Sequence, residues 1–230
     1  SSQEDKFPLS SNQFWDTETL SILFQATTNT QKPFLNRIIT GRAKYAVNAG
    51  SLSRYVKATF RRAFSSEPAK GETLNLLRRV SSILGLAEVE GILNDVNFNS
   101  NGNNFQLRRD GSVRYFNTNR VTYEAVFSNA VDAINVGGLD AFDELVLRAH
   151  LMLINDLLYG AVQFEHIQPL MKRIDSSVTG LKKIMSLSDV QTPQKLLTVI
   201  SLRRCNQEMK KILPLLIAKH YYHLHKPQLI

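Results

Sequence analysis

Apolar residues recur every three or four positions along most of the chain, which places them on one face of an α-helix. The clearest example follows Gly50, where most of the intervening polar residues are arginine and lysine. A second segment, 141–159, is apolar around most of its circumference, as is typical of a helix at the centre of a bundle. The pattern predicts an all-α fold of about nine or ten helices.

Residues that start and stop helices mark several boundaries. Asp16 (or its neighbour Thr17) and Asp140 precede periodic segments and can accept hydrogen bonds from the first N–H groups of a helix. Gly85 follows another periodic segment and can adopt the left-handed conformation that ends a helix. Pro214 lies inside the last periodic segment, so we expect a kink or a break there because proline lacks an N–H.

Alternating residues in 105–115 give the one strand signal, a small β-hairpin around an Asp-Gly pair. A two-residue turn would pair Leu107 with Arg114. A three-residue loop would instead place Leu107 on one apolar face with Val113 and Tyr115. The single apolar surface favours this second register.

The Asn-rich segment 97–104 has no apolar face to bury and is predicted to be a mobile loop. Residues 1–13 are polar and are predicted to form a disordered N-terminal tail. The remainder, 14–230, is predicted to form a single helical domain, with the alternative of two lobes that the loop 97–104 separates.

Composition narrows the class of protein. The chain has 230 residues, of which 43% are hydrophobic, and a net charge of +8, values that fit a globular protein. One cysteine, Cys205, excludes an intramolecular disulfide framework and a cysteine-rich zinc module. No N-glycosylation sequon occurs, and no uncharged apolar run reaches the roughly 20 residues of a membrane span. We expect a protein of the nucleus or cytoplasm that is not secreted.

The charge alternates in long blocks. Residues 32–79 carry +9, 121–170 carry −6 and 171–230 carry +8. Self-association could use this alternation, because a basic face can meet an acidic face of another copy. A basic face on a polyanion and ordinary solvated helix faces fit equally well, and all three interpretations stay open.

Two groups of cations are the candidate polyanion- or partner-binding residues. The first lies on and just before the basic amphipathic helix, where four to six phosphate contacts would make binding strongly salt-dependent. The second surrounds the hairpin. Together they are Arg42, Lys44, Arg54, Lys57, Arg61, Arg62, Arg108, Arg109 and Arg114. Neither group indicates recognition of a particular base sequence.

Residues with catalytic or metal-binding chemistry are few. His220 and His223 share a helix face and form a weak candidate metal pair, but no cysteine or acid within a turn adds a ligand. Cys205 has no base implied by the sequence, and His150 lies in an apolar segment, where a core histidine is the commoner case. We expect no enzyme activity, no metal and no cofactor.

Self-association requires an apolar surface, and the broad segment 141–159 and the C-terminal segment 196–216 are the candidates for it. A homodimer or higher homo-oligomer is the expected assembly. The residues assigned to this interface are Phe142, Val146, Leu153, Leu157, Leu213 and Leu216.

Three stretches carry a family resemblance: the sequence KYAVNAG at 44–50, YVKATFRR at 55–62 and NDLLYG at 155–160. With the Asn-rich loops, they resemble the O-glycosylated tegument protein family of baculovirus virions. The resemblance implies a virion protein between nucleocapsid and envelope, present in the host nucleus or cytoplasm during infection. It implies contacts with other virion proteins, a role in nucleocapsid egress, O-linked sugar and no catalytic residue.

The first functional hypothesis is therefore a non-enzymatic virion structural protein that self-associates and links the nucleocapsid to the envelope. The alternative is a nucleic-acid-binding protein of nucleocapsid type that uses residues 42–62 and the arginine-rich hairpin.

Overall fold

The computed structural model describes residues 6–45, 50–66, 68–109, 112–116, 125–187, 202–203 and 207–224. This part of the chain contains ten helices and five short strands, which confirms the predicted all-α class. The helices are α1 Ser11–Phe14, α2 Thr17–Leu23, α3 Gln31–Tyr45, α4 Ser51–Ser65, α5 Gly71–Leu84, α6 Ala87–Asn94, α7 Ala125–Asp132, α8 Ala141–Leu158, α9 Phe164–Ile184 and α10 Gln207–Leu224. The strands are β1 Phe7–Leu9, β2 Val96–Asn99, β3 Asn104–Arg109, β4 Ser112–Phe116 and β5 Met185–Leu187.

The chain divides into two compact units. The discontinuous unit comprises residues 1–39 and 173–230, and the contiguous unit comprises 40–172. The division does not fall at 97–104, where the sequence suggested a separation of lobes. That segment belongs to a three-stranded sheet inside the contiguous unit, so it is not a linker.

In the discontinuous unit, β1 pairs with β5 in parallel, with Phe7 opposite Met185 and Leu9 opposite Leu187. This corrects the prediction of a disordered tail over 1–13 for the residues from 6 onward; residues 1–5 lie outside the described chain. Leu9 is buried, and α1 begins two residues later. The backbone pairing with β5 and the burial of Leu9 order a segment whose composition is polar.

Asp16, one of the two predicted caps, is the N-cap of helix α2. The Asp16 carboxylate accepts a hydrogen bond of 2.8 Å from the Thr19 N–H and a further bond from Lys219 of α10. Burial would raise the pKa of Asp16, but the bonds from Lys219 and Thr19 outweigh it and hold the pKa below its usual value. The cap therefore joins α2 to α10 by a charged contact.

Helix α10 packs its buried residues Met209, Ile212, Leu213 and Leu216 within the discontinuous unit, where it contacts α2. The helix is continuous through Pro214, so the proline does not split it as the sequence suggested. Pro214 is exposed, which leaves its ring on the outer side of the helix, away from the buried face.

In the contiguous unit, α8 is the central helix, as its apolar breadth predicts. Thirteen of its eighteen residues are buried, and it packs against α4 and α5. The predicted cap is confirmed, because the Asp140 carboxylate accepts a 2.9 Å hydrogen bond from the Asp143 N–H. Gly85 at the end of α5 and Gly160 just after α8 have φ of +62° and +66°, the left-handed conformation expected where a helix stops.

The three-stranded sheet has the order β2-β3-β4, and both pairs are antiparallel. Strand β2 occupies part of the segment predicted to be a mobile loop. Leu107 lies opposite Arg114, so the preferred three-residue register was wrong and the two-residue alternative is present. The register differs because β2 pairs with the other edge of β3. There Val96 lies opposite Leu107, so β4 is not needed to complete an apolar surface.

An aromatic cluster connects this sheet to the helices. The Phe64 ring of α4 lies 5.1 Å from Phe105 of β3 and 4.8 Å from Phe127 of α7. Phe98 of β2 lies over Gly71, where an added Cβ would be 2.8 Å from the Phe98 ring. The Phe64 contacts place the inner face of α4 toward the sheet and α7, and its opposite face outward.

Candidate polyanion-binding site

Helix α4 is amphipathic, as its sequence predicts. Its buried residues are Ser53, Val56, Thr59, Phe60, Ala63 and Phe64. Its exposed residues recur at helical spacing and are Arg54, Ala58, Arg61 and Ser65. Lys57 and Arg62 lie half-buried on either side of this exposed stripe. We refer to Arg54, Lys57, Arg61 and Arg62 as the basic face of α4.

On the edge that faces α7, the basic face contacts Asp132. Lys57 Nζ donates a 2.6 Å hydrogen bond to the Asp132 backbone oxygen, and Arg61 forms an ion pair with the Asp132 carboxylate. The side chains of Arg61 and Asp132 are 48% and 52% exposed. The acidic and basic blocks of the sequence therefore meet here within one chain, at a solvent-exposed contact.

On the edge that faces α8, the contact is buried. Arg62 donates a hydrogen bond to the side-chain oxygen of Asn155, which is 7% exposed. The Asn155 amide group donates to Thr59 Oγ1 at 3.0 Å and to the Leu151 carbonyl at 2.8 Å. The Arg62 guanidinium also lies 5.2 Å from the ring centre of Tyr159, a cation–π distance.

Tyr55 also contacts Asn155 at this buried edge. Its hydroxyl oxygen lies 3.4 Å from Asn155 Nδ2. Burial raises the pKa of Tyr55 to about 12, the negative charge of Asp156 acts in the same direction, and the Asn155 bond opposes them. The phenol is therefore neutral at physiological pH and acts as a hydrogen-bonding group of the α4–α8 contact.

A separate ion cluster joins α3 to α8. Glu144 Oε1 accepts from Arg148 Nε at 2.7 Å and from Arg42 Nε at 3.2 Å. Arg148 is 7% exposed, so its pairing with Glu144 compensates the burial of a charge. Arg42, a candidate for polyanion binding, is thus engaged in an internal ion pair.

Arg54 lines an open groove of about 580 Å³ beside the start of α4. Lys57, Ser53, Gly50 and residues 133–135 line the rest of it. Ser53 is fixed there, because its hydroxyl accepts a 2.8 Å bond from the Val136 N–H. Among the residues that the structure describes, none forms a hydrogen bond or ion pair with the Arg54 guanidinium. The groove therefore has a cationic wall with one exposed arginine.

The structure brings together part of the predicted binding set. Arg54, Lys57, Arg61 and Arg62 form one surface, while Arg42 lies on α3 in the Glu144 cluster. The remaining candidates fall where side chains are not described: Lys44 in α3, Arg108 and Arg109 in β3, and Arg114 in β4.

The self-association residues require a correction. All six are buried within the chain, with exposures of 8% or less, because α8 is central in its unit and α10 packs against α2. Buried side chains are not available to a second copy, so self-association needs other residues. The affected residues are Phe142, Val146, Leu153, Leu157, Leu213 and Leu216.

The candidate metal and catalytic residues are placed as follows. His220 and His223 lie in α10, but their side chains are not described, and Cys205 lies outside the described chain. His150 is 2% exposed, and its Nδ1 lies 2.8 Å from the Val146 carbonyl, which is the predicted core arrangement. Within the described ranges, no group of three or more potential metal ligands occurs.

Three residues of this surface were missed by sequence reasoning: Asp132, Asn155 and Tyr159. Asn155 had a usable signal, because an amide in an apolar helix must find hydrogen-bond partners when it is buried. Asp132 and Tyr159 gave none, since an acid near the end of one helix and a tyrosine at the end of another are common.

No family model, curated protein or solved structure matches this chain. In the described part of the chain, no helix is both long enough and apolar enough to cross a bilayer.

Proposed function

We propose that this protein is a non-enzymatic structural protein of a virus particle, which self-associates and links the nucleocapsid to the envelope. The sequence resemblance supports a layer protein. The basic face of α4 supports a contact with an acidic surface, and this observation carries the proposal.

The basic face suits such a contact because its charges are close together and held in position. Arg54 and Arg62 are eight residues apart, about 12 Å along a helix, and Lys57 and Arg61 lie between them. Lys57 and Arg62 are fixed by bonds to Asp132 and Asn155. A partner therefore meets a partly ordered array of cations, which favours charge complementarity over a deep apolar interface.

Fractionation of purified particles tests the link to the nucleocapsid. Non-ionic detergent at low salt should strip the envelope and leave this protein on the nucleocapsid, and about 0.5 M salt should release it because the contact is electrostatic. The double variant Arg54→Glu, Arg61→Glu should reduce retention, while Lys210→Glu, a charge reversal at an exposed position of α10, should not. Release of the wild-type protein with the envelope at low salt would contradict the proposal.

Light scattering of the purified protein tests self-association. A mass above that of the 26.0 kDa chain that falls on dilution is expected for a reversible homo-oligomer. Raising the salt should lower the mass without changing the circular dichroism if charged faces join the copies. A monomer at all concentrations would reject this part of the proposal.

Nucleic-acid binding is the second candidate function. The observation that favours it is that a cationic groove and an exposed aromatic ring lie on the same basic face. Arg54 and Lys57 line the groove at one end, and Tyr159 lies by Arg62 at the other end. Binding of a labelled oligonucleotide, measured by fluorescence anisotropy across salt, should weaken steeply as salt rises. Absence of binding at low salt would remove this candidate.

A further inference from the structure

We propose that Tyr159 is a stacking platform for a base of single-stranded nucleic acid whose phosphates lie on the basic face of α4. This inference rests on nucleic-acid binding, the second candidate function, and specifies the kind of nucleic acid that this surface takes.

The Tyr159 ring is exposed and yet held in place. Tyr159 is 70% exposed at the end of α8, and the Arg62 guanidinium lies over its ring. Arg62 is in turn bonded to Asn155, which is buried and bonded to Thr59 and Leu151. A chain of contacts from the core thus orients an aromatic ring that remains open to solvent.

Proteins that bind single-stranded nucleic acid combine an oriented, exposed aromatic ring with neighbouring cations. Bases stack on aromatic side chains while lysine and arginine follow the phosphates, and the contact tolerates any base because every base has a π-face. A cation on the ring adds to the stack. From Tyr159 and Arg62, the basic face leads back along α4 through Arg61 and Lys57 to Arg54, about 12 Å away. That distance corresponds to a few nucleotides.

A duplex fits this surface less well. Its bases are stacked on one another and present only their edges in the grooves, so a lone tyrosine ring has no base face to contact. The cations would still attract its phosphates. We therefore expect the ring to contribute to binding of a single strand and to contribute nothing to binding of a duplex.

A purely structural role makes a different prediction. Arg62 lies near the carboxyl end of α8, where a cation stabilises the helix dipole, and the Tyr159 ring could simply pack on it. In that case, removal of the ring changes thermal stability slightly and leaves nucleic-acid affinity unchanged. Affinity on matched probes therefore separates the two roles.

The experiment uses the full chain and three labelled probes: an oligothymidylate of about twelve nucleotides, the same length of abasic backbone, and a duplex of equal length. Tyr159→Ala should lower the affinity for oligothymidylate by roughly fivefold to a hundredfold and leave the affinities for the abasic strand and the duplex unchanged. Tyr159→Phe keeps the ring and should stay within about twofold of wild type. Tyr222→Ala, at a 66% exposed tyrosine of α10, is the matched control and should have no effect.

Arg54→Gln tests the phosphate part independently. It should lower the affinity for both single-stranded probes equally and reduce the slope of log K against log salt by about 0.7. The inference is overturned if Tyr159→Ala binds oligothymidylate like wild type, or if it weakens the abasic strand to the same extent. If wild type binds no probe at low salt, nucleic-acid binding fails as a whole, and the structural-layer proposal is unaffected.

Discussion

The two edges of α4 are attached to the contiguous unit by different chemistry. The α8 edge depends on a buried amide, Asn155, which reaches Arg62, Thr59 and Tyr55. The α7 edge depends on Asp132, which is half exposed and contacts Lys57 and Arg61 directly at the protein surface. A buried polar group is costly when its partners are removed, whereas an exposed ion pair contributes little. The polar contacts at the α8 edge should therefore stabilise the position of the helix more than those at the α7 edge, where the cations should be free to exchange partners.

Asn155→Ala should cause the largest loss of stability. Removal of the amide leaves the Thr59 hydroxyl and the Arg62 guanidinium without a buried partner, which should cost about 2–3 kcal/mol in the free energy of unfolding. Urea unfolding measures this. Asn129→Ala, at an exposed position of α7, is the control and should change stability by less than about 0.5 kcal/mol. A similar loss in both variants would show that the edge is not held as described.

Tyr55 should make stability depend on alkaline pH. Its pKa is about 12 in the folded protein and about 10 when unfolded, so the unfolded state loses the proton first as the pH rises. The contribution is complete below pH 10 and is lost between about pH 10 and pH 12, with a total of about 2–3 kcal/mol. The free energy of unfolding, measured with urea from pH 8 to 11, should fall more steeply with pH for wild type than for Tyr55→Phe. Equal pH dependence in both proteins would be inconsistent with a buried neutral phenol.

Tyr159→Ala should have a smaller effect on stability. The ring loses its contact with the Arg62 guanidinium at an exposed site, which should cost about 0.5–1 kcal/mol. Tyr159→Phe retains a ring and should be close to wild type. The melting temperature, followed by circular dichroism, distinguishes the pair. A loss above about 2 kcal/mol for the alanine variant would place the ring in the buried contact instead of on its outside.

Asp132→Asn should have the smallest effect on stability, below about 0.5 kcal/mol, because the ion pair with Arg61 is exposed. The same change adds one net positive charge to the basic face. Binding of a polyanion such as heparin should therefore tighten at low salt and converge with wild type at high salt. A large loss of stability in this variant would abolish the contrast between the two edges.

Much of the fold could be predicted because local patterns and tertiary packing agree. The apolar stripe of α4, the cap at Asp140 and the left-handed Gly85 are each determined by a few neighbouring residues. The breadth of α8 also predicted its central position correctly. The prediction that α8 offers a surface for self-association was wrong, because its apolar residues pack against neighbouring helices of its own unit.

Errors arose where a distant partner determines the structure. Asn-rich β2 has little strand propensity and is ordered by pairing with β3, and β2 also removed the reason for the preferred hairpin register. The polar segment at Phe7 is ordered by β5, far away in sequence. In the candidate site, the cations of α4 were visible in the sequence, but Asp132 and Asn155 were not, because only the folded chain brings them to α4.

The pairing of β1 with β5 has a consequence for synthesis. The two strands are separated by almost 180 residues, which a ribosome adds in roughly 10–40 s. During that interval β1 and the helices of its unit that follow it lack the segment from 173 onward, while the contiguous unit, 40–172, emerges complete. The order of folding is thereby set by the path of the chain: the unit that carries the basic face can fold during translation, and the unit that holds both strands must wait for its second half.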